Sequence, residues 1–291
     1  MSQAVEVSVV MPCLDAKGTI EAQLRALAGQ RTSAWWEVIV SDNGSTDGSQ
    51  QIVKRWQARL PDLRLIDSSS RRGVSAARNV GARAARGELI LICDADDIVS
   101  EHWIAAMVRA ARQFDLVGGS VEESSLNPPV LRFWRGELPR DRLLTSLRFL
   151  PFAMGCNVGM RRAVFEALGG WDERYVGGCD DIDFSWRAQL GGFTLGFAPD
   201  AVIAYRHRHG LPALCRQFSR YGLSNAVLYR QYRSHGATAR PLWQVLRSWA
   251  WLLLHAADLV RSSKLRGRWL RAAALNWGQV RGSIKQRVFS L

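Results

Sequence analysis

Apolar and polar positions alternate in two rhythms along the first 120 residues. Val5-Glu6-Val7-Ser8-Val9-Val10-Met11 is rich in β-branched side chains and predicts a strand closed by Pro12. Residues 17–29 place Ile20, Leu24, Leu27 and Ala28 at helical spacing, and Trp36-Glu37-Val38-Ile39-Val40-Ser41 predicts a second strand. Ser45 or Thr46 is placed to cap a helix carrying Ile52, Val53, Trp56 and Leu60 on one face. Leu63-Arg64-Leu65-Ile66 predicts a third strand and residues 74–86 a third helix. Leu89 to Cys93 is continuously apolar, as a strand buried on both faces requires. This βαβα order predicts an α/β fold, a mostly parallel sheet flanked by helices, in which ligands gather at the carboxyl ends of the strands.

The fourth strand ends in Asp94-Ala95-Asp96-Asp97, three carboxylates in four residues. Like charges this close repel and raise one another's pKa. A divalent cation resolves the conflict, since Mg²⁺ takes carboxylate oxygens and fills its other positions with waters and substrate phosphates. An acidic turn is the alternative. Polar residues stand at the other strand ends as well: Pro12-Cys13-Leu14-Asp15, Asp42-Asn43-Gly44-Ser45-Thr46-Asp47 and Ser68-Ser69-Ser70-Arg71-Arg72-Gly73. Asp42 suits a ribose or base, and equally an Asx-turn or helix cap. Arg71 and Arg72 could meet phosphates at a helix start, though an arginine pair alone fits a solvated face better. There is no GxGxxG after the first strand and no GxxxxGK[ST] anywhere, so dehydrogenase and P-loop readings lose their main support.

Composition narrows the class. A chain of 291 residues, 47% hydrophobic and 22% charged, is ordinary for a globular protein with a sizeable core. The five cysteines (Cys13, Cys93, Cys156, Cys179, Cys215) are odd in number and lack CxxC pairing, which fits a reducing cytosol. Met1 to Glu6 lacks the basic stretch of a signal peptide. Of the formal charge of +13, residues 240–291 carry +9, ten basic side chains against Asp258, so the body is only mildly basic.

Taken together the segments resemble the family 2 glycosyltransferases, inverting enzymes of the GT-A fold. The resemblance runs in order through Val7-Ser8-Val9-Val10-Met11-Pro12, Asp42 to Asp47, Gly73-Val74-Ser75-Ala76-Ala77-Arg78-Asn79-Val80-Gly81 and Asp94-Ala95-Asp96-Asp97. It continues through Gly155-Cys156-Asn157-Val158-Gly159-Met160-Arg161-Arg162, Gly169-Gly170-Trp171-Asp172-Glu173 and Asp180-Asp181-Ile182-Asp183-Phe184-Ser185-Trp186-Arg187, and so covers about residues 5–205. It implies a nucleotide-diphospho-sugar transferase fold, to which the tail is expected to add a C-terminal helical extension. The catalytic domain would span 1–210 (donor half 5–120, acceptor half 121–210) and the extension 211–291. It implies a nucleotide diphospho-sugar donor, with uridine the base on family frequency, near Pro12, Asp15, Asp42, Arg72, Gly73, Arg78, Asp94 and Ala95. Mg²⁺ or Mn²⁺ would sit on Asp96 and Asp97. Gly155, Asn157 and Trp171 would contact the acceptor, a glycan or lipid-linked hydroxyl. The family's base is the second acid of a Glu-Asp pair, here Asp181, with Asp180 orienting the acceptor.

The sequence departs from the family at two places. Asp180 is one methylene shorter than the family's Glu. Tyr205 stands where many members carry a metal-binding His after Pro199-Asp200-Ala201; His207 could take that role, but a phosphate-facing loop of Arg206 and Arg208 is the better reading. Gln217-Phe218-Ser219-Arg220-Tyr221 is similar to the QxxRW signature of processive members, which also carry several membrane spans. Without such spans Gln217 and Arg220 are expected to belong to a helix bracing the site.

Leu242 to Val260 is apolar enough to suggest a membrane span, but Arg247, His255 and Asp258 interrupt it. At 100° per residue Gln244, Arg247, Ser248, Trp251, His255, Asp258 and Arg261 share one arc, which predicts an amphipathic helix. Basic and Trp-dotted sequence follows, from Lys264 to Arg281. This suits an interfacial helix on anionic lipid, placing the protein at the inner face of the cell membrane; packing on the catalytic domain or on another subunit is the alternative. Two other classes remain: a nucleotidyltransferase, disfavoured for want of a lysine- and glycine-rich phosphate loop, and a basic nucleic-acid-binding protein. The confinement of charge to an apolar tail argues against a nucleic-acid partner.

Overall fold

A computed structural model describes residues 4–60 and 62–290. The outermost residues of the expected 1–210 and 211–291 units, 1–3 and 291, lie outside that set. The strands β1 (Val7–Cys13), β2 (Trp36–Asp42), β3 (Leu63–Asp67) and β4 (Leu89–Cys93) alternate with α1 (Ile20–Ala28), α2 (Ser49–Trp56) and α3 (Val74–Ala84). These four strands pair in parallel, as the repeating strand–helix pattern requires. Leu89, Leu91 and Cys93 of β4 enter a core with α1, α2 and α4 (Trp103–Ala110), while Ile90 and Ile92 enter a second core on the opposite face. The strand is apolar throughout because it faces two cores.

The chain then adds β5 (Ile98–Val99), β6 (Leu116–Glu122), α5 (Pro129–Arg135), the hairpin β7 (Leu144–Thr145) and β8 (Pro151–Phe152), β9 (Asn157–Arg161), α6 (Arg162–Leu168), α7 (Asp180–Leu190) and β10 (Leu195–Ala204). The main sheet has the order β3-β2-β1-β4-β9-β6-β10-β5. β9 lies antiparallel between β4 and β6. The strand ends of the first half therefore face elements supplied by the second.

Two local expectations are corrected. β1 does not stop at Pro12 but continues to Cys13, with Pro12 opposite Ser41; pairing with β4 has already ended at Val10, so the missing N–H breaks no ladder on that side. Neither Ser45 nor Thr46 caps α2, which begins at Ser49 after Gly48 in the left-handed region (φ 99°). The Ser45 hydroxyl instead accepts the Asp15 N–H (2.9 Å), the Thr46 N–H goes to Asp15 (2.8 Å), and Asp47 accepts the Ser49 N–H (2.9 Å).

The C-terminal region comprises α8 (Leu211–Tyr232), α9 (Leu242–Leu254), α10 (Asp258–Arg261) and α11 (Ser263–Gln286). Long helices cross this closely where side chains are missing. A Cβ on Gly222 of α8 would strike the backbone of Leu275 and Gln279, and one on Gly278 of α11 would strike the backbone of Ser219. α11 also meets α5, where Trp134 Nε1–H donates to the Ser263 carbonyl (3.0 Å).

The single amphipathic helix expected over 242–260 is broken after Leu254, and part of its polar arc turns inward. Ser248 accepts from Asn276 (3.2 Å), buried Asp258 lies 3.7 Å from Arg268, and Trp251 stacks on His255 (4.6 Å). Leu253 (78% exposed), Leu254 (82%), Leu242, Trp243, Leu246 and Val260 are left facing outward. Among the described residues no helix is long and apolar enough to cross a membrane. Gly278→Leu should therefore force α8 and α11 apart and lower stability by about 2 kcal/mol, within the usual cost of overpacking. A fall in the urea midpoint at unchanged m-value checks this; an unaltered midpoint would remove the helix contact from the account.

Candidate active-site cleft

At the end of β4 the chain leaves the sheet and the acids emerge. Gln23 of α1 fixes this turn, donating to the Asp94 carbonyl (3.1 Å) and accepting the Val99 N–H (3.0 Å). Asp94, Asp96 and Asp97 each offer an oxygen within a sphere of 4.8 Å, with Asp96 the most exposed of the three. Asp97, 1% exposed, accepts the Arg206 N–H on Oδ1 (2.7 Å) and leaves Oδ2 buried with no partner. Removal from water, and then the negative charge of Asp94, pushes Asp96 up to about 6. The same two causes push Asp97 well above the usual carboxylate range. Burial also raises Asp94, against the opposing pull of Arg78. Three crowded carboxylates, one with an orphaned oxygen, fit a divalent cation.

Arg78 joins this cluster to a second one. It sits on α3, 4% exposed, with Nη1 on Asp180 (2.6 Å) and Nη2 on Asp94 (3.3 Å). Burial alone would weaken its charge, but Asp180, Asp94 and Asp181 outweigh that and hold its pKa above the ordinary value. α7 begins at Asp180 after Cys179 in the left-handed region (φ 70°), so both acids stand in its first turn, where the helix dipole favours negative charge. Asp181 accepts N–H groups from Gly155 (3.0 Å) and Ile182 (2.9 Å). Desolvation, then neighbouring Asp180, nevertheless raises it to about 6.

These groups line one cleft of about 530 Å³, and Arg78, Asp94, Asp96, Gly155, Asp180, Asp181, His207, Gln217 and Arg220 all border it. Asp15, Asp42, Arg72 and Gly73 do not; they sit at the ends of β1, β2 and β3. Asp42 Oδ2 accepts from Gly44 N (3.2 Å), Ser45 N (3.1 Å) and Gln50 (2.8 Å), an Asx-turn, while its Oδ1 is buried without a partner. Asp15 is spent on Thr46, the Gly73 N–H donates to Asn43 (2.8 Å), and Arg72 is exposed beside Gly44. Pro12 and Ala95 are buried and shape the strand ends rather than presenting side chains.

Two acceptor-side expectations fail on burial. Asn157 is fully enclosed, accepting from Trp103 Nε1 (2.8 Å) and donating to the Ser120 and Ala201 carbonyls (2.8 and 2.9 Å), so no hydrogen-bonding group remains for a ligand. Trp171 stacks on Phe184 (4.4 Å) inside the second core and is 3% exposed. His207 is not a member of the acid cluster: its Nε2 lies 2.7 Å from Glu123. Nor do Arg206 and Arg208 act alike, since Arg206 Nε donates to the Asp96 carbonyl (2.9 Å) whereas Arg208 is exposed at the cleft. Gln217 accepts from Arg135 (2.7 Å) and donates to Tyr221 (2.6 Å). Gln23, Glu123 and Arg135 escaped the sequence reading because each acts across a long sequence gap, whereas Tyr221 belongs to the QxxRW-like segment.

Removing the central cation exposes its importance. Arg78→Met should cost about 3–5 kcal/mol at neutral pH, the range for a buried ion pair stripped of one partner. The loss should shrink as pH falls toward about 4, where carboxylates protonate and need no counter-charge. Urea titrations at two pH values check both statements; a pH-independent loss would show that Arg78 acts through packing alone.

Comparison with known proteins places this geometry. Residues 8–169, more than half of the chain, match the model of glycosyl transferase family 2, and residues 89–277 match glycosyl transferase family group 2. The glycosyltransferase AglE of Haloferax volcanii is 27% identical over 215 residues, 73% of this chain and 70% of AglE. A PGL/p-HBAD biosynthesis glycosyltransferase of Mycobacterium tuberculosis is 29% identical over 229 residues, 77% of this chain and 81% of that protein. In fold, the chain resembles the mannosyltransferase PcManGT of Pyrobaculum calidifontis (TM-score 0.65, 22% identity, covering 97% of this chain and 88% of that one). It also resembles S. aureus TarS (TM-score 0.56, 18% identity, covering 98% and 93%). The ordered strand ends, the acid cluster and the match across more than half the chain converge on one assignment: this protein belongs to glycosyl transferase family 2 and is a glycosyltransferase of the GT-A fold.

Proposed function

We propose that the cleft transfers a sugar from a UDP-sugar to the hydroxyl of a lipid-linked or cell-surface acceptor in one displacement, inverting the anomeric carbon. The observation that carries this reading is the position of Asp181, in the same cleft as Asp94 and Asp96 and raised to about 6. PcManGT was solved with GDP-Man and Mn²⁺ and TarS with UDP-GlcNAc, which supports a nucleotide-sugar donor. We take the base as uridine, after TarS.

The unpartnered Oδ1 of Asp42 would accept a hydrogen bond from the nucleoside, and Asp94 would take part beside it. Asp96 and Asp97 would hold Mg²⁺ or Mn²⁺, which when bound supplies positive charge against the diphosphate leaving group. Arg78 holds Asp180 in place to orient the acceptor. Asp181 takes the hydroxyl proton as the new glycosidic bond forms and the bond to the diphosphate breaks. A base of pKa about 6 is ionised at pH 7 yet more basic than an ordinary aspartate, which suits the task. Attack from the face opposite the leaving group gives inversion.

The outward apolar side of α9 and α10, with exposed Arg247, Arg261 and Lys264 beside it, is read as a surface for anionic lipid. That would hold the cleft at the inner face of the cell membrane, where a lipid-linked acceptor is met.

Asp181→Asn should cut transfer by roughly 100- to 10,000-fold while UDP and Mn²⁺ still raise the melting temperature. Lost donor binding would instead mark Asp181 as structural. In the wild type, kcat/KM should fall as pH drops through about 6, because the base must be deprotonated. Asp96→Asn should abolish the Mn²⁺-dependent part of the thermal shift, and retention of it would sink the metal assignment. Leu253→Glu combined with Leu254→Glu should release the protein from phosphatidylglycerol vesicles with UDP binding intact. Undiminished co-sedimentation would remove the membrane reading.

A further inference from the structure

The turn that delivers Asp180 and Asp181 is not held by its own sequence. Gly177, Gly178 and Cys179 follow one another in the left-handed region (φ 107°, 131° and 70°), and no side chain caps α7. Such a backbone is costly for Cys179 and persists only where its surroundings over-determine it. Those surroundings lie along one face of α8, where Tyr221, Asn225, Leu228 and Tyr232 recur at helical spacing. The Tyr221 ring packs so closely on Gly178 that a Cβ there would come within 2.5 Å of it. Cys179 Sγ–H donates weakly to Asn225 (3.7 Å), and Leu228 shares a hydrophobic cluster with Ile182 and Trp186.

The end of α8 completes the contact through Asp183, which is fully buried in the first turn of α7. Asp183 Oδ1 accepts from the Tyr232 hydroxyl (2.7 Å) and from Gln231 Nε2 (3.0 Å), and Oδ2 accepts from Arg187 Nε (2.8 Å). Both oxygens of this buried carboxylate are therefore satisfied, as burial demands. Gln231 also reaches the other way, its Oε1 accepting the Tyr175 hydroxyl (3.1 Å). Burial, and then the charge of Asp183, push the Tyr175 and Tyr232 phenols up, so both remain donors. One side chain thus bridges residue 175 to residue 183, with both cleft acids between them. Asp181 keeps the Gly155 N–H only while that stretch holds its place.

We infer that Gln231 is a positioning residue for transfer: with Tyr232 and Asn225 it makes α8 a splint for residues 175–186, which holds the Asp181 carboxylate at the acceptor hydroxyl. This rests on the reading of Asp181 as the base. Gln231 does not line the cleft and acts only through Tyr175 and Asp183.

Hydrogen exchange of the peptide 175–186, and release of UDP from UDP-GlcNAc with Mn²⁺ and water in the acceptor's place, test it on the full chain. Gln231→Leu keeps the bulk and removes both hydrogen bonds. It should speed exchange in that peptide about tenfold, the scale of one or two lost hydrogen bonds, and leave β1 to β4 unchanged. It should lower kcat about tenfold while KM and calorimetric UDP binding stay as in the wild type. Added to Asp181→Asn it should cost nothing further, because a residue acting through the base has nothing left to position. Unchanged exchange, an unchanged kcat, or a loss that adds in full to that of Asp181→Asn would overturn the splint. Tyr175→Phe cuts the other end of the bridge and should show the same pattern at smaller size; wild-type exchange and kcat in that variant would overturn the splint even if Gln231→Leu did not fold. Full turnover by Asp181→Asn counts against the base reading, and no turnover by the wild type against the donor reading; in either case the exchange comparison still decides whether α8 holds the turn.

Discussion

Acids brought together at one cleft would drive its two halves apart unless a fixed cation stood between them. Arg78 is that cation. It reaches from α3 to Asp94 at the end of β4 and to Asp180 at the start of α7, and it is almost wholly buried. A single guanidinium thereby joins the parallel half of the sheet to the elements that follow it. Its planar fork suits two carboxylates at once, which a lysine could not match. Even so, the acids are not balanced one by one: Arg78 pairs with Asp94 and Asp180, and among the described residues Asp96, Asp97 and Asp181 have no ion-pair partner. Burial first, and the neighbouring negative charge after it, raises Asp96, Asp97 and Asp181.

The imbalance is what gives the proposed chemistry its two poles. At β4, crowding without a counter-ion favours a divalent cation. At α7, the same low-dielectric surroundings make Asp181 a better base than an exposed aspartate, while two backbone N–H groups keep it oriented. Gly155 is needed for this, since a Cβ there would approach Arg78 Nη1 to 2.7 Å. The far wall is built by helices that cross through Gly222 and Gly278, bringing Phe218 and Arg271 up to Arg135. The C-terminal helices thus have two faces with different work: α8 and α11 close the cleft, and α9 turns an apolar surface outward.

Much of this was legible in the sequence where a local pattern carried it. The apolar run of β4 ending in acids required a strand buried on both faces and a charge conflict at its end, and both are present. The parallel order of β1 to β4 followed from spacing alone. Legibility failed where tertiary partners decide. Asn157 and Trp171 sit in motif-like segments near the site, yet their side chains face inward, toward Trp103 and Phe184. Seryl and threonyl side chains before α2 looked like caps, but Asp15 and Asp47 across the turn took over the hydrogen bonding. The polar arc of residues 242–261 was correctly periodic, but periodicity cannot say which side is wet; Asn276 and Arg268 on α11 drew part of it inward. Arg135 had no signal at all, because its partners lie 73 to 136 residues away.

The central claim is a division of labour among the carboxylates, with the metal at β4 and the proton at Asp181. A crystal of the protein grown with UDP and Mn²⁺, examined by anomalous scattering at the manganese edge, tests it most directly. The account predicts one strong peak coordinated by Asp96, with Asp97 beside it and Asp181 free of metal. A peak on His207 and Glu123, or one that draws Asp181 into the coordination sphere, would contradict it.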